Sequence, residues 1–390
     1  MRWRELPREA RAYILYHTLI APQLIVWYLL PLYMLRTGYS VRDVGAFFSA
    51  VNLASIPLTY LIGRWFNRVP LKLGLIVIDV LDGLTYVLYS LAYGTWATAF
   101  LFLGKFAGKV SSLFYPLYQA YEQIVYPRER YEEVYAWHLR LPEVSQFFGF
   151  LLFGYLLGYV YNTPHHYRLA FLLFGLFSFL AVAYIYRFLP PVNREERINP
   201  PGWTFPNLKE YGFLLLVEGL LTLAWSLAPN FVLLYYVVVH LKKTLFEVML
   251  VEAGMSITTV LATYVSERVP KAGGAYAISL GFLLETVSLG IMALSPSLVW
   301  VLVSYALGRF GDSLAFPFYR AWLFGFVPRD RVSEIHAALS SYNRAIGLVS
   351  PLLAGALAYL HPALPYRVSL LILLLTSLLF LYISRRGKRP

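Results

Sequence analysis

Asp79, Asp82, Lys105, Lys109, Glu285, Arg309 and Asp312 all lie inside long apolar stretches. A charge at membrane depth is costly unless it is paired or hydrated, so such residues mark ion pairs, proton relays or solute contacts. Spacing sorts them. Asp79 and Asp82 are three apart, and Lys105 and Lys109 four apart, so on helices each couple shares a face. Asp82 and Lys105 stand at nearly equal distances on either side of Gly94-Thr95, and Asp79 and Lys109 at equal distances further out. In an antiparallel hairpin rising about 1.5 Å per residue, these acids and bases meet at matched depth. Glu285 and Arg309 stand in a similar relation about Pro296, with Asp312 one turn beyond Arg309 on the same face. Two acid–base clusters are expected, with two readings. They neutralise each other and staple their hairpins, or they bind a solute and a coupling proton. An ion pair that breaks during a conformational change does both.

Other embedded polar groups are fewer. Gln23 follows Pro22, and Asn230 follows Pro229. Proline frees a backbone carbonyl within a helix, and interruptions at matching places of two halves point toward a binding site; an ordinary proline kink is the alternative. Arg344, beside Asn343, sits near mid-depth as a further cavity candidate. His17 reads as a packed or interfacial histidine. Glu122, near a helix end, has room to snorkel. Tyr115, Tyr118 and Tyr319 are candidates to line a pocket in a chain that is 17% aromatic, with 32 tyrosines. Such a pocket suits an amphipathic organic solute.

The elements that carry these residues are apolar helices. Hydrophobic residues make up 59% of the chain and charged ones 14%, and mean hydropathy is +0.59. A soluble domain is about 25% charged. Stretches of about 20 apolar residues read as membrane spans. Twelve are expected: 13–35, 42–63, 71–93, 96–124, 133–161, 166–188, 210–241, 245–266, 272–294, 297–326, 332–359 and 364–384. The polar, proline-bearing stretch 189–209 divides them into an N-terminal half (1–188) and a C-terminal half (210–390). No cleavable leader is expected. The net charge of +12 lies mainly in short loops, and positive-inside topology accounts for it without nucleic acid. Basic residues crowd the N-terminus, the loops near 64–72, 128–130, 268–271 and 329–331, the 187–209 stretch and the C-terminus. The opposite loops hold Arg36, Arg42, Arg168, Lys242, Lys243 and Arg367. Both termini are therefore expected in the cytoplasm, with a linker on the same side, in a plasma-membrane protein.

The chain is also written twice. Asn67-Arg68-Val69-Pro70 returns as Glu267-Arg268-Val269-Pro270, and Pro127-Arg128-Glu129-Arg130 as Pro328-Arg329-Asp330-Arg331, each about 200 residues later. Leu103-Gly104-Lys105-Phe106 returns as Leu307-Gly308-Arg309-Phe310, and Pro116, Tyr118 and Ala120 as Pro317, Tyr319 and Ala321. The fold class expected is an all-α membrane protein of twelve transmembrane helices in two six-helix halves related by a pseudo-twofold.

With that repeat, the chain resembles the major facilitator superfamily. The family's commonest signature, Gly-x-x-x-Asp-Arg-x-Gly-Arg-Lys, falls between spans 2 and 3. Here Gly63-Arg64-Trp65-Phe66-Asn67-Arg68-Val69-Pro70-Leu71-Lys72 stands in that place. Asn67 replaces the acid and Pro70 the second glycine, while the second copy keeps an acid at Glu267. The resemblance implies a cytoplasmic latch of Gly63, Asn67, Arg68, Glu267 and Arg268, and a central cavity lined by spans 1, 4, 7 and 10. Lys105 and Arg309 are similar to the span-4 base of proton-coupled exporters. The chain departs from those exporters in lacking a Gly-Pro signature in span 5. A related pattern, Gly347, Ser350-Pro351 and Gly355, stands in span 11.

The function expected is secondary, gradient-driven transport of a small organic solute by alternating access, with proton-coupled export as one form. A facilitative uniporter with structural charge pairs is the first alternative, and a non-transporting receptor or scaffold the second. Partners are the solute, the lipid bilayer and protons, with no nucleic acid. No P-loop, no His-Glu-x-x-His and no Gly-x-Ser-x-Gly occurs, so neither an enzyme, a cofactor nor a metal site is expected. The absence of cysteine excludes thiolate ligands.

Overall fold

The computed structural model describes residues 3–65, 68–192, 208–266, 268, 274–325 and 332–386. Within them the chain runs as twelve helical segments. α1 comprises Arg8–Ile20 and Val26–Arg36, joined by the 3-10 turn Ala21–Ile25. α2 is Val41–Ala54 continued by Ile56–Trp65, and α3 is Leu71–Ser90. α4 is Ala97–Ser112 followed by Pro116–Val125. α5 is Tyr131–Tyr155 with a π turn at Leu156–Val160, and α6 is Pro164–Phe188. α7 is Leu208–Leu227 followed by Asn230–Leu234 and a π turn at Tyr235–His240. α8 (Leu245–Ser266), α9 (Gly274–Ala293), α10 (Leu298–Gly325), α11 (Val332–Leu360) and α12 (Leu364–Arg386) complete the order.

Among the described residues eight helices are long and apolar enough to cross a membrane. The others are α2, α3, α4 and α12. α2 and α4 are broken, and α3 and α4 hold the embedded Asp and Lys residues. Phe148, Leu180 and Leu375 are each more than 60% exposed, as lipid-facing side chains must be.

The local breaks have local causes. Pro116 has no N–H to close the preceding turn, so α4 steps through Leu113–Tyr115 and restarts with proline at its first position. Pro22 lies in the 3-10 turn of α1. Pro229 is extended (φ −72°, ψ 167°) and separates the two parts of α7. The prolines singled out by the sequence therefore interrupt α1 and α7 at corresponding places.

Contacts divide the chain into two compact units. One holds residues 1–37 and 50–202, the other 38–49 and 203–390. In the first, α3 packs on α4 and α6, while α1 packs on α5 and α6. In the second, α9 packs on α10 and α12, while α7 packs on α11 and α12. The pairings match one repeat later. Tyr13, Ile14, Leu75, Ile78, Leu117 and Tyr121 are buried in the first core. Leu221, Phe282, Ala315, Tyr319 and Leu373 are buried in the second. Within the second unit Gly45 lies against Pro351 and Gly355, and Ser49 Oγ accepts the Leu352 N–H at 3.0 Å.

Candidate functional site

In the first unit the acids of α3 turn in different directions. Asp79 is buried. Tyr16 of α1 donates its hydroxyl hydrogen bond to Asp79 Oδ2 at 2.5 Å, and Tyr16 in turn meets the Tyr118 hydroxyl at 2.9 Å. Asp79 is thus joined to α1 and α4 through two phenols. Asp82 feels Lys105 of α4 electrostatically, with Ser111 also acting on its carboxylate. Lys109 lies near enough to act on Lys105. Asp82 and Lys105 lie near enough to interact through charge, while Asp79 takes its hydrogen bond from α1. Removing that bond leaves a buried carboxyl without its donor, a loss of about 1–3 kcal/mol. Tyr16→Phe is expected to lower the thermal unfolding midpoint of the purified protein accordingly, and Tyr184→Phe, which removes a half-buried hydroxyl that donates to the Ala12 carbonyl at 3.2 Å, to lower it less.

The second unit uses different donors. Glu285 of α9 is buried, and Trp225 of α7 donates Nε1–H to its Oε2 at 2.8 Å. The other oxygen, Oε1, is buried with no hydrogen-bond partner. Arg309 gives Nη1–H to Asp312 Oδ2 at 3.1 Å and Nε–H to Thr259 Oγ1 of α8 at 2.9 Å. Its guanidinium is thereby engaged on its own helix and on α8, and the partner three residues on needs no depth match with α9. Among the described residues no cation lies within ion-pair distance of Asp79 or Glu285.

Closer to the start of α7, Glu218 gathers a second network. Tyr319 of α10 and Asn343 of α11 both donate to it, the latter at 3.0 Å, while Thr222 donates to Asn343 Oδ1 at 2.8 Å. Arg344, next along α11, is half-buried. Tyr118 and Tyr319, repeat partners in sequence, each hydrogen-bond to the first helix of their own half.

The amides after the two prolines differ. Gln23 is buried, its Oε1 accepts from Ser178 of α6 at 2.9 Å, and its Nε2 has no partner. Asn230 is exposed. Of the latch residues, Gly63 lies in α2, and Arg68 and Arg268 are exposed in turns. Asn67 and Glu267 lie outside the described residues.

Tyr16, Trp225 and His138 were not singled out by sequence reasoning. Tyr16 and Trp225 each come from a helix that does not neighbour their partner's in the chain, and linear spacing carries no signal for such a meeting; His138 lies in α5, one helix after its partner Glu122 of α4. Glu218, an acid inside the apolar run of α7, carried a signal by itself, as Tyr319 and Asn343 did, but nothing in their spacing joined the three.

A family model described as Major Facilitator Superfamily matches residues 12–273. The chain belongs to this superfamily. It is an integral membrane transporter and not an enzyme, and small-molecule solutes are its class of substrate. No curated protein matches it by sequence. Among solved structures, a bacterial homologue of the iron transporter ferroportin in its inward-facing state is similar, with TM-score 0.76, 16% identity and coverage of 96% of this chain and 98% of that one. A bacterial metal transporter gives 0.72 and 17%, over 97% and 99%. The nucleoside transporter NupG gives 0.70 and 12%, over 98% and 100%. At these identities the likeness establishes the superfamily fold.

Proposed function

We propose that this superfamily member is a secondary transporter, moving a small organic solute by alternating access and coupled to protons. One observation supports the coupling most. Asp79 and Glu285 are buried, one in each unit, and each is held by a neutral aromatic donor. A carboxyl group so held can take up and release a proton without dismantling an ion pair. Residues 1–188 and 210–390 are the moving halves in this reading, with 189–209 as a cytoplasmic linker and Asn67, Arg68, Glu267 and Arg268 as latch residues. Both termini face the cytoplasm of a plasma-membrane protein, as the loop charges favour. Asp82, Lys105, Lys109, Arg309, Asp312, Arg344, Gln23 and Asn230 are the remaining solute or coupling groups, and Tyr115, Tyr118 and Tyr319 favour an organic solute. The described cargoes of the similar structures, a metal, iron and a nucleoside, show that the fold does not select the solute.

The test is made in liposomes. A thermal-shift screen across solute classes supplies a ligand, since binding to the native state raises the midpoint. Vesicles holding the protein and an internal pH dye are then given that solute. Solute-dependent proton movement is expected. Solute flux without proton movement makes the protein a facilitator, and binding without flux makes it a receptor or scaffold.

A further inference from the structure

A second group of polar residues in the first unit has no part in the coupling chemistry above. His17 of α1, Glu122 of α4 and His138 of α5 each offer one donor atom, and these three atoms lie within 4.8 Å of one another. Their helices end at the same side of the first unit, near the turn at 126–130. The rings of His17 and His138 are 4.8 Å apart. Nε2 of His17 is buried and has no hydrogen-bond partner. Glu122 Oε1 lies 3.6 Å from His138 Nδ1. Two tyrosines hold the other ligands from outside. Tyr126 OH lies 2.5 Å from His138 Nδ1, and Tyr13 OH donates to Glu122 Oε1 at 3.4 Å.

We propose that His17, Glu122 and His138 bind a divalent transition-metal ion of the zinc class. The donor set is two imidazoles and one carboxylate, which suits zinc and its first-row neighbours and disfavours magnesium and calcium, whose sites are built from oxygen. Around a tetrahedral ion with bonds of about 2.0–2.1 Å, ligand atoms stand about 3.3 Å apart. Closing from 4.8 Å asks for side-chain movement of about 1.5 Å, and the unpartnered His17 Nε2 loses no hydrogen bond in making it. With His138 ligating through Nε2, Tyr126 at its Nδ1 and Tyr13 at Glu122 have the place of outer partners, which fix ring orientation and ligand basicity. The ion would rest among Tyr13, Tyr16 and Tyr118, whose rings lie 4.6, 4.8 and 5.0 Å from that of His17. Three ligands leave a fourth position open to water or to a donor group on a solute. This site requires no coupling proton, so it is measured independently of transport.

The experiment uses the full chain, freed of any histidine tag and stripped with chelator, in detergent. Titration calorimetry with Zn²⁺ alone is expected to show one site per chain, with no competition from excess Mg²⁺ or Ca²⁺. Co²⁺ in place of Zn²⁺ is expected to give the intense visible bands of a low-coordinate nitrogen–oxygen site, a signature that needs no variant. His138→Gln, His17→Asn and Glu122→Gln are each expected to weaken Zn²⁺ binding about 100-fold or more, and Tyr126→Phe about 10-fold. Replacing the outer-loop pair His165 and His166 with alanine is expected to leave that site unchanged. Absence of the site and of the Co²⁺ bands in the unmodified chain overturns the proposal. So does binding that survives the three substitutions or disappears with His165 and His166.

Discussion

Glu285→Gln is expected to lower pH-gradient-driven uptake into liposomes at least about tenfold while leaving solute exchange across the same vesicles intact. Glutamine keeps the volume of the side chain and can still accept the Trp225 N–H, which now reaches Glu285 Oε2 at 2.8 Å. What it cannot do is carry a proton. The neighbouring base offers no substitute, because the Arg309 guanidinium is committed to Asp312 and Thr259. Asp79→Asn makes the corresponding change in the first unit, where Tyr16 remains as donor. A transporter that moves in response to protonation loses its gradient dependence in these variants and keeps its capacity to exchange. Thermal unfolding measured alongside separates lost coupling from lost fold. A Glu285→Gln chain that still concentrates solute on a pH gradient as the parent does removes Glu285 from the coupling.

The second large effect concerns packing. Gly281→Val is expected to reduce stability by about 3 kcal/mol, at the upper end of the ordinary cost of overpacking. α9 and α10 approach each other backbone to backbone at Gly281 and Gly311. A Cβ on Gly281 would lie 2.5 Å from the Gly311 carbonyl oxygen and 2.5 Å from Ala315 Cβ. A Cβ on Gly311 would lie 2.5 Å from the Gly281 carbonyl oxygen. Neither obstacle is the free end of a side chain, so the helices themselves must part. Small residues at such crossings are what let membrane helices pack closely without a hydrophobic driving force. The separation carries Glu285 with it, four residues along the same helix. The control is Gly254→Ala, where an added Cβ meets nothing within 4 Å. Monodisperse yield and the thermal midpoint read the difference. Equal stability of the two variants contradicts the close crossing.

The helices, their order and the repeat were legible in the sequence because each rests on local signals. Apolar length marks a span, and a proline marks a break. Pro22 and Pro229 illustrate this, since each interrupts its helix by its own chemistry. The site was legible only in part. Matched depth within a hairpin placed Asp82 near Lys105, because α3 and α4 are consecutive and one turn fixes their register. Asp79 and Glu285 take their hydrogen bonds from α1 and α7, helices separated from them by another span. No spacing along the chain predicts those contacts. The same reason hid the meeting of His17 of α1 with Glu122 of α4 and His138 of α5. The repeat also misleads where side chains are concerned: Gln23 is buried against Ser178, whereas Asn230 is exposed.

The central claim is that buried carboxyl groups couple solute movement to protons. The most direct measurement compares steady-state solute accumulation in liposomes holding the parent chain or the Asp79→Asn/Glu285→Gln chain, with an imposed pH gradient and after an ionophore has collapsed it. The account predicts accumulation above equilibrium for the parent on the gradient alone, and simple equilibration for the collapsed vesicles and for the doubly substituted chain. Accumulation that survives both the ionophore and the loss of the two acids contradicts it.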